Sequence, residues 1–181
     1  MADVYELKYR DGRHEELWSE DNCYYVLGSD HLRRVNTIPA WCYNCKGIEP
    51  AEDLRRPQEI ELELQACDDP KSAFVQQNFP SSPPDRLLWW KSRLQKELAY
   101  SSQRKSLPRC LTCGRTEVSF FIYRKWAAHP ESQEEVFFTA VGIGSTSVYW
   151  RFFDSEGVKL EPTEAEMEHF STLIRGNTVD R

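Results

Sequence analysis

Four of the six cysteines fall into two pairs of identical spacing, Cys42/Cys45 and Cys110/Cys113. A two-residue spacer lets both sulfurs of a pair reach one metal ion from a single tight turn. Two such turns supply four thiolates, the tetrahedral sulfur set that zinc favours, and leave no coordination position for water or substrate. The pattern predicts one structural Zn2+ bound by Cys42, Cys45, Cys110 and Cys113. Other chemistries use the same residues. A redox dithiol needs only one pair, an iron–sulfur cluster also takes four cysteines, and the pairs can be unrelated core thiols. Three disulfides require an oxidising compartment, and the first ten residues carry charges where a signal peptide has its apolar stretch. A cytoplasmic location is therefore expected. Cys23 and Cys67 stand alone and read as small apolar fillers.

No other catalytic pattern accompanies the cysteines. There is no Gly-x-x-x-x-Gly-Lys loop, no His-Glu-x-x-His and no Gly-x-Ser-x-Gly elbow. His14, His31, His129 and His169 are scattered and read as surface or capping residues. Gly142 and Gly144 read as a turn between strands, and Glu161, Glu164, Glu166 and Glu168 as a solvated helix face. A non-catalytic protein is expected.

The elements that hold the two pairs are α+β in pattern. Tyr5, Leu7 and Tyr9 alternate with charged residues, which predicts a strand with one buried face. Asp11-Gly12 predicts a two-residue hairpin turn. Cys23 to Leu27 is a second strand ended by Gly28. Between the pairs, Pro57 opens a helix over residues 58–67, residues 68–84 read as loop, and Ser82, Pro83 and Asp85 start a helix that buries Leu87, Trp90, Leu94 and Leu98. Residues 101–109 read as a basic loop. Strands follow over 118–123, 135–141 and 147–153, with a turn over Asp154 to Gly157. Thr163 and Glu166 form a capping box for a last helix with Met167, Phe170 and Ile174 on one face and Gly176 as its C-cap. The expected architecture is an antiparallel sheet carrying a knuckle pair, a helical insertion and a C-terminal helix. It forms a single domain over 1–181, with N-terminal strands in 1–41, the knuckles in 42–115, the insertion in 46–109, and strands plus a helix in 116–181.

Cys110-Leu111-Thr112-Cys113-Gly114, followed by a strand, resembles the second knuckle of the zinc-ribbon group, and Cys42-Tyr43-Asn44-Cys45-Lys46-Gly47 is similar to the first. The resemblance covers about a dozen residues and implies a closed zinc site made of four cysteines. The 64 residues between the pairs are more than a compact ribbon needs.

Net charge is −6, which disfavours non-specific nucleic-acid binding by the whole chain. No apolar run approaches the ~20 residues needed to span a bilayer. The acidity, with six Trp and eight Tyr, suits a protein-interaction module directed at another, basic protein, as an immunity or inhibitor protein would be. The alternative is nucleic-acid binding through the basic segment 86–109. There Arg86, Lys91, Arg93, Lys96, Arg104 and Lys105 lie among Trp89, Trp90 and Tyr100, which can stack on bases.

Overall fold

The computed structural model describes residues 2–19, 22–80, 84–144 and 150–176. The chain forms two compact units. The first comprises residues 1–53 and 106–181, and the second residues 54–105. The fold is α+β, with largely antiparallel sheets and a C-terminal helix.

In the first unit, β1 (Ala2–Tyr9) and β2 (His14–Trp18) form the expected hairpin. Its turn is longer than Asp11-Gly12 suggests. Gly12 N–H donates to Tyr9 C=O and Tyr9 N–H to Arg13 C=O, so three residues are enclosed, with Gly12 at φ +91°. Glycine takes that left-handed conformation at no steric cost. The strands β3 (Cys23–Gly28), β4 (His31–Arg34), β5 (Thr37–Cys42) and β6 (Gly47–Glu52) follow. Of these, only β3 is visible as a strand in the sequence pattern.

The second unit is helical. Its helices are α1 (Pro57–Asp68), α2 (Ala73–Asn78) and α3 (Pro84–Gln103). Ile60, Leu62 and Leu64 alternate with Glu61 and Glu63 as strand residues do, yet all lie in helix α1, and only Ile60 of the three is fully buried. Within the expected loop 68–84, Ser72 accepts the Val75 N–H and nucleates α2. The Ser82 and Pro83 expected to start α3 lie outside the described residues, whereas Asp85 does sit in its first turn. Ile60, Cys67 and Leu94 form the core of this unit, with Leu87, Trp90 and Leu98 packed against it.

Back in the first unit run β7 (Val118–Phe120), β8 (Trp126–Ala128), β9 (Glu135–Gly144), β10 (Arg151–Phe153), β11 (Lys159–Leu160) and α4 (Glu164–Arg175). Gly142 and Gly144 lie inside β9, not in a turn. A side chain at Gly144 would collide with the Trp18 ring at 2.2 Å. Residues 147–149 of the expected strand lie outside the described residues. The Asp154–Gly157 turn forms as expected, and Asp154 Oδ1 accepts from Glu156 and Val158 N–H. Gly176 is the C-cap of α4 but has φ −74°, so it supplies no left-handed turn.

Three sheets result, in the orders β2-β1-β9-β8, β11-β10-β3-β4 and β6-β5-β7. Pairing among these strands is antiparallel except between β3 and β10. Leu7, Tyr9, Trp41, Phe121, Val136 and Phe138 pack the first sheet against the third. Tyr24, Leu32 and Phe152 pack the second against Phe170 of α4.

A buried acid joins the second and third sheets. Glu52 is fully buried at the end of β6. Its carboxylate accepts from Tyr25 Oη at 2.7 Å and from Arg109 N–H at 2.8 Å. The Arg109 side chain donates onward to Glu156 C=O and Gly114 C=O. Glu52→Ala removes the carboxylate that accepts from Tyr25 and from Arg109 N–H and should cost about 3 kcal/mol in urea unfolding. A loss below about 0.5 kcal/mol would show that the network carries no stability.

Candidate metal centre

Each cysteine pair sits where strand geometry delivers it. The first knuckle is the turn of the β5–β6 hairpin, where Cys42 closes β5 and pairs with Gly47. Lys46 N–H donates to Cys42 C=O at 2.9 Å, and Cys45 N–H points at Cys42 Sγ at 3.4 Å. The second knuckle repeats this backbone pattern. Gly114 N–H donates to Cys110 C=O at 2.8 Å, and Cys110 N–H to Arg115 C=O. Its position is fixed from both sides. Leu111 N–H bonds Pro50 C=O, Cys110 bridges Ala51 of β6, and β7 pairs with the other edge of β5.

The two knuckles therefore meet. Cys42 Sγ lies 3.6 Å from Cys113 Sγ, and Cys45 Sγ lies 3.9 Å from Cys110 Sγ. All four sulfurs lie within 4.8 Å of one another. A tetrahedron with Zn–S bonds of ~2.3 Å has sulfur edges of ~3.8 Å, and a disulfide would need ~2.05 Å. The spacings fit a shared metal ion, and the cysteines are unbridged thiols. Cys42 and Cys110 are buried, whereas Cys45 and Cys113 are partly exposed.

Both knuckles need a left-handed residue directly after the second cysteine. Lys46 has φ +55° and Gly114 φ +73°. The equivalent of Gly114 in the first knuckle is thus Lys46 and not the adjacent Gly47.

Thiol acidity differs across the site. Burial raises the Cys45 thiol, and hydrogen bonding with Cys113 and Cys42 adds to the effect. Burial pushes Cys110 up to about 11. At Cys113 burial also acts upward, but the Arg115 N–H and the three neighbouring thiols hold it at about 7.

The other candidate residues lie elsewhere. Arg86, Lys91, Arg93 and Lys96 are on α3 in the second unit, and Arg104 and Lys105 follow it. Lys91 pairs with Asp68, Arg93 lies over the Trp89 and Trp90 rings, and Arg104 donates to Tyr100 Oη. Trp90 is turned toward the unit core and donates to Glu63. Cys23 and Cys67 are both buried, as apolar fillers are. His129 is buried, and its Nδ1 accepts from Glu131 and Ser132 N–H, a turn-capping role. Among the described residues, the four cysteines are the one group of three or more His, Cys, Asp or Glu close enough to hold a metal. No helix among them is long and apolar enough to cross a membrane. Comparison with known protein families, with curated proteins and with solved structures finds no match.

Two outcomes follow from this geometry. A Cβ at Gly114 would touch nothing within 4 Å. Gly114→Ala therefore isolates backbone strain and should cost about 1 kcal/mol, while Lys46→Gly should add up to about that amount. Thermal unfolding of the metal-loaded protein checks both, and no change in either would contradict the left-handed assignment. Metal ligation requires thiolates, so the raised Cys45 and Cys110 must each release a proton at pH 7. Apparent affinity should rise with pH, by at least about 100-fold between pH 6 and 7, since Cys113 at about 7 adds part of a further proton. Competition with a chromogenic chelator measures this, and a flat profile rules out thiolate ligands.

Proposed function

We propose that the chain is a non-catalytic, zinc-stabilised protein-interaction module, in character an immunity or inhibitor protein with a basic partner. The observation that carries this is the convergence of four sulfurs, two from each knuckle, around one point. Sulfur fills all four positions of a tetrahedral ion placed there, so the ion has no open site for a reacting group. The spacing suits a single ion better than a multi-iron cluster, whose thiolates ligate different metal atoms and stand further apart. The three-stranded β6-β5-β7 sheet with a knuckle at each side is the arrangement expected of a zinc ribbon, with the helical unit inserted between the knuckles.

The interaction role draws on the surface. Trp18, Tyr43, Trp89 and Tyr123 are exposed, and Tyr and Trp are frequent anchors of protein interfaces. The acidic net charge favours a basic partner. The basic helix gives the nucleic-acid reading less support, because Lys91, Arg93 and Arg104 already have partners within their own unit.

Elemental analysis of the purified protein should give one zinc per chain. Its removal should abolish 1:1 capture of a basic protein from the source cells. Arg93→Glu with Lys96→Glu should leave that capture unchanged, and salt-dependent retention by nucleic acid should be negligible throughout. Absence of stoichiometric metal, or strong retention by RNA or DNA, would overturn the reading.

A further inference from the structure

Two sheets of the first unit end in short edge strands that face a common apolar cavity. β7 is the outer strand of β6-β5-β7, and β8 the outer strand of β2-β1-β9-β8. Residues 119–122, with Ala127, Ala128 and Pro130, line a cavity of about 240 Å3. Its inner lining includes Phe121, Val136 and Phe138, all buried. Phe120 and Ile122 line it too and are 40% and 54% exposed. The space is smaller than the ~300–1,000 Å3 typical of small-molecule sites, but it can accept a bulky apolar side chain.

Main-chain groups beside the cavity are oriented for pairing. His129 N–H bonds Glu134 C=O at 2.8 Å. Antiparallel ladders alternate, so with the observed register Ala127 faces Val136 while Trp126 and Ala128 turn their N–H and C=O outward. On β7, Tyr43 N–H bonds Glu117 C=O, which by the same alternation turns Phe120 outward. Sheet edges of this kind accept an added strand, with side-chain pockets reading alternate residues.

The charges around the cavity give a direction. Arg124 and Lys125 form the connection that enters β8, and both are exposed. Arg124 has φ +55°, and its N–H is held by Phe138 C=O at 2.8 Å. Beyond the other end of β8, Glu131 follows Pro130 and is exposed. Arg10 and Arg13 nearby are neutralised by Glu135 and Glu134. The β8 segment thus runs from a cationic end to an anionic one.

We propose that this cavity docks an extended segment of a partner protein. The segment pairs antiparallel with β8, inserts one bulky apolar side chain, and carries a basic residue on its N-terminal side and an acidic one on its C-terminal side. Running antiparallel to β8 sets the basic end of the segment toward Glu131 and its acidic end toward Arg124 and Lys125. The proposal rests on the reading of the chain as a protein-interaction module and names the site of that activity.

The probe is the labelled peptide acetyl-Lys-Thr-Val-Phe-Val-Thr-Glu-amide, titrated with the full-length metal-loaded protein and followed by fluorescence anisotropy. A second peptide exchanges Lys and Glu and keeps the composition. The first should bind about 10-fold more tightly than the second. Ala128→Pro, which removes an outward N–H at an edge that tolerates proline, should abolish binding with the metal content unchanged. Ile122→Glu, at an exposed wall, should do the same. Arg124→Glu with Lys125→Glu should erase the preference between the peptides. Binding of neither peptide, equal binding of both, or full binding by Ala128→Pro overturns the docking site. If the partner captured from cells is still held 1:1 by Ala128→Pro and Ile122→Glu, the docking site fails while the module reading stands. If no partner is captured by the unmodified protein, the module reading itself fails.

Discussion

Two sulfur pairs separated by 64 residues of chain approach to within 4 Å of each other, and much of the first unit depends on that approach. Cys42 ends β5, so the ion would sit at the end of the strand at the centre of the third sheet. The same strand contributes Trp41 to the core shared with the first sheet. A bound structural zinc contributes roughly 10–16 kcal/mol, against a total domain stability of about 5–15 kcal/mol. A zinc ion held there would therefore be comparable to everything else that holds the unit.

Protein contacts also prepare the site. The Glu52 carboxylate orients the Arg109 N–H, and Arg109 then holds Gly114 C=O at the back of the second knuckle. Pro50 and Ala51 fix Leu111 and Cys110 by backbone pairing. These contacts place the second knuckle beside the first by strand register, so an ion bound there would close a geometry that is already largely set. A buried acid paired through a tyrosine hydroxyl and a backbone amide is costly to misassemble, which favours a single arrangement of the knuckles.

The clustering of the four cysteines was legible because two-residue spacing in cysteine pairs has few other uses. Elements with strong local signals were legible too. The alternation in β1 and the Thr163–Glu166 box of α4 both correspond to real contacts, the latter with Glu166 reaching back to Thr163 N–H at 2.8 Å. β5 was not legible. Five of its six residues are buried, so it shows no alternation, and Pro39 argues against a central strand. Pro39 is tolerated because β7 pairs only with Ala40 to Cys42, leaving that stretch of β5 without a second neighbour. In β6, Gly47 and Pro50 resemble turn residues. A signal was nevertheless available, since a knuckle that is the turn of a hairpin needs a strand on each side. The cavity between β7 and β8 had no signature, because it arises from tertiary placement of two three-residue strands.

The order of the chain has a consequence for synthesis. The first knuckle leaves the ribosome with its thiols unmatched, and the whole helical unit must emerge before the second can arrive. That unit has its own core around Ile60, Cys67 and Leu94, so it can consolidate while the earlier cysteines wait. At ~5–20 residues per second, the wait is several seconds, during which free thiols stand open to oxidants. Metal capture by these four thiols would then be a late event in biogenesis, and the reducing state of the surroundings during those seconds would govern how much of the newly made chain reaches its finished form.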